Sequence, residues 1–156
     1  MKPFNIVLFE PEIPQNTGTI GRLAVSTGAK LHLIEPLGFS IEDKYLKRAG
    51  LDYWEHLTPS IYPDWEAFIE KEQPERMFFI STHGEKSFFD AEFHPGDYLV
   101  FGKESAGLPK EFYDKYRDKM LLIPMPGDFS RSLNLANAVS IVLYESMRQN
   151  RAAWDK

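Results

Sequence analysis

The strongest constraint on this chain is its rhythm: short apolar runs of strand length alternate with longer segments whose apolar residues recur at helical spacing. Asn5 to Phe9, Lys30 to Ile34, Arg76 to Ile80, Tyr98 to Phe101 and Met120 to Ile123 read as strands. Parallel strands need helical crossovers of the kind that separate these runs. The pattern therefore predicts an α/β fold, a mostly parallel sheet flanked by helices.

Local signals place the helices. Pro14 suits a first helical turn, Ile20, Leu23, Ala24 and Thr27 share the face that follows, and Gly28 ends it. Asp43 to Ala49 reads as a short helix closed by Gly50. Pro63-Asp64 opens another, with Trp65, Phe68 and Ile69 on one face, and it stops before Pro74. Pro109 to Tyr116 is a fourth. Leu133 to Asn150 is the last and is apolar on most sides: Ala138 and Ser140 sit among Val139, Ile141, Val142 and Leu143, as in a buried helix or one at a dimer interface. Ser81 to Pro95 reads as irregular. With no repeat, low-complexity tract or long linker, residues 1–156 are expected to form one domain, which suits 156 residues with 43% hydrophobic and 26% charged content.

Several classes of function drop out. The chain has no cysteine, so disulfides, thiolate zinc sites, iron–sulfur clusters and cysteine nucleophiles are excluded, and the four histidines show no metal-ligand spacing. No apolar run approaches the roughly 20 residues of a membrane span, and Met1-Lys2-Pro3-Phe4-Asn5 opens no signal peptide. A soluble, cytoplasmic protein without a metal is the expectation. The formal charge of −5 argues, taken alone, against binding nucleic acid through bulk positive charge.

Open α/β sheets bind ligands beyond the carboxyl ends of their strands, and three segments there are polar and glycine-rich. In the first, Glu10 to Arg22, Asn16, Gly18 and Arg22 sit where a loop turns into a helix. Backbone N–H groups and a guanidinium face one anionic or polar ligand there, or the helix is simply capped and the arginine solvated. Arg22 has no carboxylate partner at helical spacing, which favours function. The second, Phe101-Gly102-Lys103-Glu104-Ser105-Ala106-Gly107-Leu108-Pro109, is a tight turn or a backbone cradle for a nucleoside-sized ligand, and it fits neither the phosphate-loop nor the dinucleotide pattern. The third joins Ile123-Pro124-Met125 to Ser130-Arg131-Ser132-Leu133-Asn134. Ser130 or Ser132 would cap the last helix, whereas Arg131 and Asn134 lack a structural role. Tyr144, inside that helix, is either a core tyrosine or a site residue.

Taken together these segments resemble the SPOUT superfamily of RNA methyltransferases. Glu10-Pro11-Glu12-Ile13-Pro14-Gln15-Asn16-Thr17-Gly18, Arg22, Leu33-Ile34-Glu35-Pro36-Leu37-Gly38-Phe39 and Arg48-Ala49-Gly50-Leu51-Asp52-Tyr53 are similar to the small bacterial tRNA wobble-nucleotide 2′-O-methyltransferases. The second and third segments share that likeness, which covers nearly the whole chain. The resemblance implies a carboxyl-terminal deep trefoil knot, a bent S-adenosylmethionine as cofactor, the anticodon loop of tRNA as partner, and a homodimer with sites built across its interface. Chains in general avoid threading, so pattern alone predicts an ordinary doubly wound sheet.

Carried over by position, the resemblance puts the cofactor against Ile80, Gly102, Ile123 and Ser132, with Thr82, Leu108 and Leu133 lining the same pocket. It makes Arg22 the arginine facing the ribose 2′-hydroxyl, with Asn16, Glu104 and Asn134 shaping the site and Tyr144 near it. Lys44 and Arg48 become contacts to tRNA phosphates. Two departures stand out: Lys103-Glu104-Ser105-Ala106-Gly107 replaces the relatives' Pro-Glu-Thr-Arg-Gly, and Pro126-Gly127-Asp128-Phe129 is one residue longer. An arginine is a poor general base, so Arg22 is expected to stabilise the developing alkoxide, and the base itself stays unassigned. Other readings are 2′-O-methylation of a different RNA, or a non-catalytic RNA- or nucleotide-binding homodimer of the same fold. Arg22, Asn16 and Asn134 together favour an enzyme. A dinucleotide-dependent redox protein lacks its glycine fingerprint.

The distribution of charge qualifies the total. Residues 60–97 carry three basic and nine acidic side chains, leaving fifteen basic against fourteen acidic elsewhere. The remainder, which carries the three motif segments, is therefore nearly neutral, which predicts weak, salt-sensitive RNA binding that benefits from pooling two surfaces.

Overall fold

The strand-forming segments assemble into one seven-stranded sheet, all parallel, in a computed structural model that describes residues 2–155. Met1, Lys156 and the side chains of Leu51 and Asp52 lie outside the described residues. The strands are β1 (Asn5–Phe9), β2 (Lys30–Ile34), β3 (Ser60–Tyr62), β4 (Met77–Ile80), β5 (Lys86–Ser87), β6 (Tyr98–Phe101) and β7 (Met120–Leu122), in the order β3-β2-β1-β6-β4-β7-β5. The helices are α1 (Pro14–Thr27), α2 (Lys44–Gly50), α3 (Trp65–Glu72), α4 (Lys110–Lys115) and α5 (Leu135–Gln149).

Alternation along the central strands divides the core. Ile6 and Leu8 of β1, with Leu31, Leu33, Leu99 and Phe101, pack on one face against Ile20 and Ala24 of α1 and Val139, Val142 and Leu143 of α5. Val7, Phe9, Ile34 and Val100 face the other side, where Trp65 and Phe68 of α3 meet Phe112 of α4. All five residues of β1 are buried, as a strand covered on both faces requires.

Four details differ from the pattern-based expectation. Strands β3 and β5 were not predicted: at three and two residues they are too short for a period-two signal, and β5 lies inside the stretch that reads as irregular. Helix α2 ends at Gly50 as expected, but a 3-10 turn over Leu51–His56 follows it directly. The last helix begins at Leu135 rather than Leu133. Its cap is Asn134, whose side chain accepts from the Asn137 N–H at 3.2 Å, so neither Ser130 nor Ser132 caps it. Finally, α5 is buried along Ala136, Val139, Val142, Leu143 and Ser146 but exposes Ile141 and Tyr144, because a helix lying on a sheet covers only one face within its own chain.

Strand β7 lies between β4 and β5, and Ile80 and Lys86 both pair with Leu121. The link 81–85 that joins β4 to β5 therefore crosses β7. A Cβ on Gly84 would stand 2.8 Å from the Leu121 carbonyl carbon, so this crossing has room only for glycine. Beyond β7 the chain returns so that α5 packs against α1 and β6.

In the core, His32 of β2 is 2% exposed. The Asn5 amide nitrogen donates to the Gly96 carbonyl, which leaves Asn5 Oδ1 to accept from His32 Nε2 at 2.9 Å. His32 Nδ1 then accepts from the Tyr62 hydroxyl at 2.8 Å. Burial drives the imidazole pKa down to about 4, outweighing the opposing pull of Glu72. The same burial pushes the Tyr62 phenol up to about 12.

Candidate functional site at the carboxyl ends of the strands

The loops after β1, β4, β6 and β7 converge on a cavity of about 470 Å³, within the range of about 300–1,000 Å³ usual for small-molecule sites. Helix α1 explains how the first of these loops is held. Its N-cap position is Ile13, which has no capping side chain, and no acidic residue lies in its first turn. The Glu104 carboxylate fills this role from the β6–α4 loop, accepting from the N–H groups of Glu12 (2.8 Å) and Ile13 (2.9 Å) and from Asn16 Nδ2 (3.2 Å). The helix start is thus occupied by the protein's own anion and is not open to an anionic ligand, contrary to one sequence reading.

Asn16 carries the connection onward. It is buried, and its Oδ1 accepts from Asn134 Nδ2 at 3.0 Å. Glu104, Asn16 and Asn134 thereby form one polar chain that joins the amino ends of α1 and α5. The two loops are tied again in reverse: the Glu12 carboxylate accepts from the Ser105 hydroxyl (2.7 Å) and N–H (2.9 Å), and these bonds hold its pKa below the usual carboxylate range. Lys103 Nζ reaches Glu10 at 3.3 Å.

The β6–α4 loop is itself a closed cradle. Lys103 and Gly107 exchange two backbone hydrogen bonds, and Gly107 takes a φ of +67°. A Cβ on Gly102 would collide with the backbone of Gly107 and Leu108, so glycine here permits close approach rather than a bend. Gly18 has a different role from the one read in the sequence. A Cβ there would strike the Leu46 carbonyl oxygen and Ala49, so Gly18 lets α2 lie against α1 and does not face a ligand.

The seven residues expected around a cofactor, Ile80, Thr82, Gly102, Leu108, Ile123, Ser132 and Leu133, all line the cavity, as do Asn16, Glu104 and Asn134. Four expected residues lie outside its wall. Arg22 is exposed on the outer face of α1, its guanidinium 5.3 Å from the Tyr53 ring centroid. The partner that helical spacing could not supply is thus an aromatic ring and not a carboxylate. Tyr144 is not a core tyrosine: it is 54% exposed, because its position on α5 points away from the sheet. Lys44 and Arg48 are exposed on α2 beside Tyr45. Ser130 donates to the Met125 carbonyl, closing the turn over 125–130, and Arg131 is exposed.

Sequence reasoning passed over Ser81, His83 and Tyr113, which also line the cavity. The Ser81 hydroxyl is 2.7 Å from the Tyr113 hydroxyl and accepts from the His83 N–H at 3.1 Å, pinning the link 81–85 to α4. Ser81-Thr82-His83-Gly84 is a polar, glycine-containing loop directly after a strand, the same signal that marked the other three segments. Tyr113 gives no such signal.

Fold and sequence together define the class: residues 3–144 match the SpoU rRNA Methylase family, and the chain belongs to it. The tRNA (cytidine(34)-2'-O)-methyltransferase of Saccharophagus degradans is 52% identical over 147 residues, 94% of this chain and 95% of that protein. A solved structure presented as structural insights into the 2-OH methylation of C/U34 on tRNA matches with a TM-score of 0.90 at 46% identity, covering 97% of this chain and 98% of that one. The SpoU methyltransferase AviRb from Streptomyces viridochromogenes, solved in complex with AdoMet, matches with a TM-score of 0.85 at 27% identity. It covers 97% of this chain but 59% of its own.

Proposed function

We propose that the chain is a single-domain, cytoplasmic methyltransferase that uses S-adenosylmethionine to methylate the ribose 2′-oxygen of nucleotide 34 in the anticodon loop of tRNA. The observation that carries this reading is the 52% identity to a tRNA (cytidine(34)-2'-O)-methyltransferase along nearly the full length of both chains. The likeness to AviRb supports the cofactor. A tRNA substrate is preferred over the ribosomal RNA of the family's name because that end-to-end match is the stronger one.

The cavity fits the cofactor on its own terms. Ile80, Leu108, Ile123 and Leu133 give the lining an apolar part, Thr82 and Ser132 are hydroxyl-bearing residues of the same wall, and the bare backbone at Gly102 admits close approach of a nucleoside. When bound, S-adenosylmethionine supplies a methyl group on a sulfonium sulfur. The chain's part is alignment, which contributes about 7 kcal/mol or more to such a transfer. The Glu104–Asn16–Asn134 chain is a positioning device: it fixes the loops that hold the cofactor and keeps its polar atoms satisfied by one another. Arg22 hydrogen-bonds the ribose 2′-oxygen and stabilises the charge that develops there, and Lys44 and Arg48 take tRNA phosphates.

The reading includes a homodimer. Ile141 and Tyr144 are large side chains of α5 left 38% and 54% exposed, and a second copy of the chain covers them. Tyr144, outside the wall of its own chain's cavity, then serves the neighbouring site. The reading also includes a trefoil knot, supported by β7 lying beneath the link 81–85 and by the return of α5 to α1.

Nucleoside mass spectrometry of tRNA from a strain lacking the gene tests the function. Loss of 2′-O-methylcytidine or 2′-O-methyluridine is expected; unchanged levels of every 2′-O-methylated nucleoside would overturn it.

A further inference from the structure

The outer layer built by α1, α2 and the 3-10 turn leaves two tyrosines partly in water, Tyr45 at 43% and Tyr53 at 36% exposure. Tyr53 is occupied by the Arg22 guanidinium. Tyr45 likewise has cations over its ring, but these are exposed side chains of its own helix: Lys44 Nζ lies 5.0 Å and Arg48 Cζ 6.0 Å from the centroid. The acids nearby are already committed. Asp43 caps α2 by accepting from the Tyr45 and Leu46 N–H groups, and Glu42 pairs with Lys47 at 2.6 Å. Among the described residues, no carboxylate pairs with Lys44 or Arg48.

A flat exposed ring beside unpaired cations is poorly suited to a protein or lipid partner. Those surfaces need contiguous apolar area, and the exposed neighbours of Tyr45 on α2 are Lys44, Lys47 and Arg48. It does suit an unpaired nucleotide: the base replaces Lys44 and Arg48 over the ring, and the phosphates on either side of that base take the two displaced cations. A base inside a duplex offers neither face, so the arrangement selects single-stranded or looped RNA.

We infer that Tyr45 is a stacking platform for an unpaired base of the RNA substrate, with Lys44 and Arg48 taking the phosphates that flank that base. This rests on the reading of the chain as an RNA methyltransferase and adds a contact to the base itself. The ring, not the hydroxyl, does the binding.

Direct binding of an anticodon stem-loop RNA to the full chain tests the inference separately from turnover. Tyr45→Ala should weaken binding about tenfold, and Tyr45→Phe and Tyr45→Trp should restore it, because stacking tolerates any aromatic face. Tyr45→Leu should not. The slope of log Kd against log salt should stay unchanged in Tyr45→Ala and fall by about 1 in Arg48→Ala. Unchanged affinity in Tyr45→Ala, or full rescue by leucine, would overturn the platform. A change in sedimentation with RNA affinity unaltered would also overturn it, by making Tyr45 a contact between copies of the chain. Absence of methylation by an otherwise RNA-binding wild type would instead refute the function and leave the platform standing.

Discussion

Replacing Glu104 by Gln isolates the junction that organises the site. All three partners of the Glu104 carboxylate, the N–H groups of Glu12 and Ile13 and the Asn16 amide, are donors. A glutamine has one oxygen and one NH2. If its oxygen keeps Ile13 and Asn16, its NH2 confronts the Glu12 N–H, so at least one bond is lost and a donor meets a donor. A hydrogen bond to a charged group is worth about 1.5–3 kcal/mol, and the anion at the start of α1 adds about 0.3–1 kcal/mol. Glu104 is partly exposed, so solvent screening lowers the sum to about 2 kcal/mol. For a domain of this size that is about a 1 M fall in the urea midpoint, or about 5 °C in Tm, read at fixed protein concentration because dimerisation would shift both. The effect should also couple to Asn16→Ala: in a double-mutant cycle the two losses together should fall short of their sum by about 0.5 kcal/mol or more. A Glu104→Gln variant with the wild-type midpoint, or strict additivity with Asn16→Ala, would refute the assignment of Glu104 as the cap of α1.

Other outcomes follow from the same geometry. Burial pushes the folded His32 pKa down to about 4, below its ordinary value of about 6.5, so the stability that His32 contributes is fully present above pH 6.5 and is lost as pH falls towards 4. The loss amounts to about 3 kcal/mol; urea titrations across this window should show a markedly flatter slope in His32→Gln, and equal slopes would contradict the buried neutral tautomer. Gly102→Ala should lower affinity for S-adenosylmethionine about tenfold or more by calorimetry, since overpacking costs about 1–3 kcal/mol and the colliding atoms are backbone. Wild-type affinity would mean the cradle is not the cofactor site. Arg22→Ala should abolish methylation with cofactor affinity nearly intact, and Tyr53→Leu should lower kcat less severely by releasing the guanidinium; normal turnover in Arg22→Ala would remove Arg22 from the reaction. Sedimentation equilibrium should give a dimer that Tyr144→Glu weakens, whereas a monomer at micromolar concentration would rule out a shared site.

Periodicity made the sheet legible because four of the seven strands carry at least three residues of continuous apolar sequence and β2 alternates around His32. Ser60-Ile61-Tyr62 and Lys86-Ser87 escaped because their pairing is decided by neighbours far away in sequence, and β5 exists only because β7 is inserted beside it. The cavity wall could be anticipated for a related reason: Ile80, Gly102 and Ile123 lie where strands end, and strand ends are visible in sequence. What joins those loops was not visible. Glu104 looks like a surface acid in a turn, and nothing local relates it to Ile13 or to Asn16, since the bonds span about ninety residues. Arg22 is instructive in the opposite direction. The absence of a carboxylate at helical spacing was read correctly, but its actual partner, Tyr53, comes from a separate turn. The exposure of Tyr144 likewise depends on which face of α5 meets the sheet, a choice that an apolar helix does not announce.

The most direct test of the central claim is position-specific. Purified protein should transfer a labelled methyl group from S-adenosylmethionine to a tRNA whose nucleotide 34 carries a normal ribose, and nuclease mapping should place the label on that nucleotide. A tRNA identical except for a 2′-deoxyribose at position 34 should accept none. Equal labelling of both RNAs would contradict the account, because the acceptor would then be a base or another ribose.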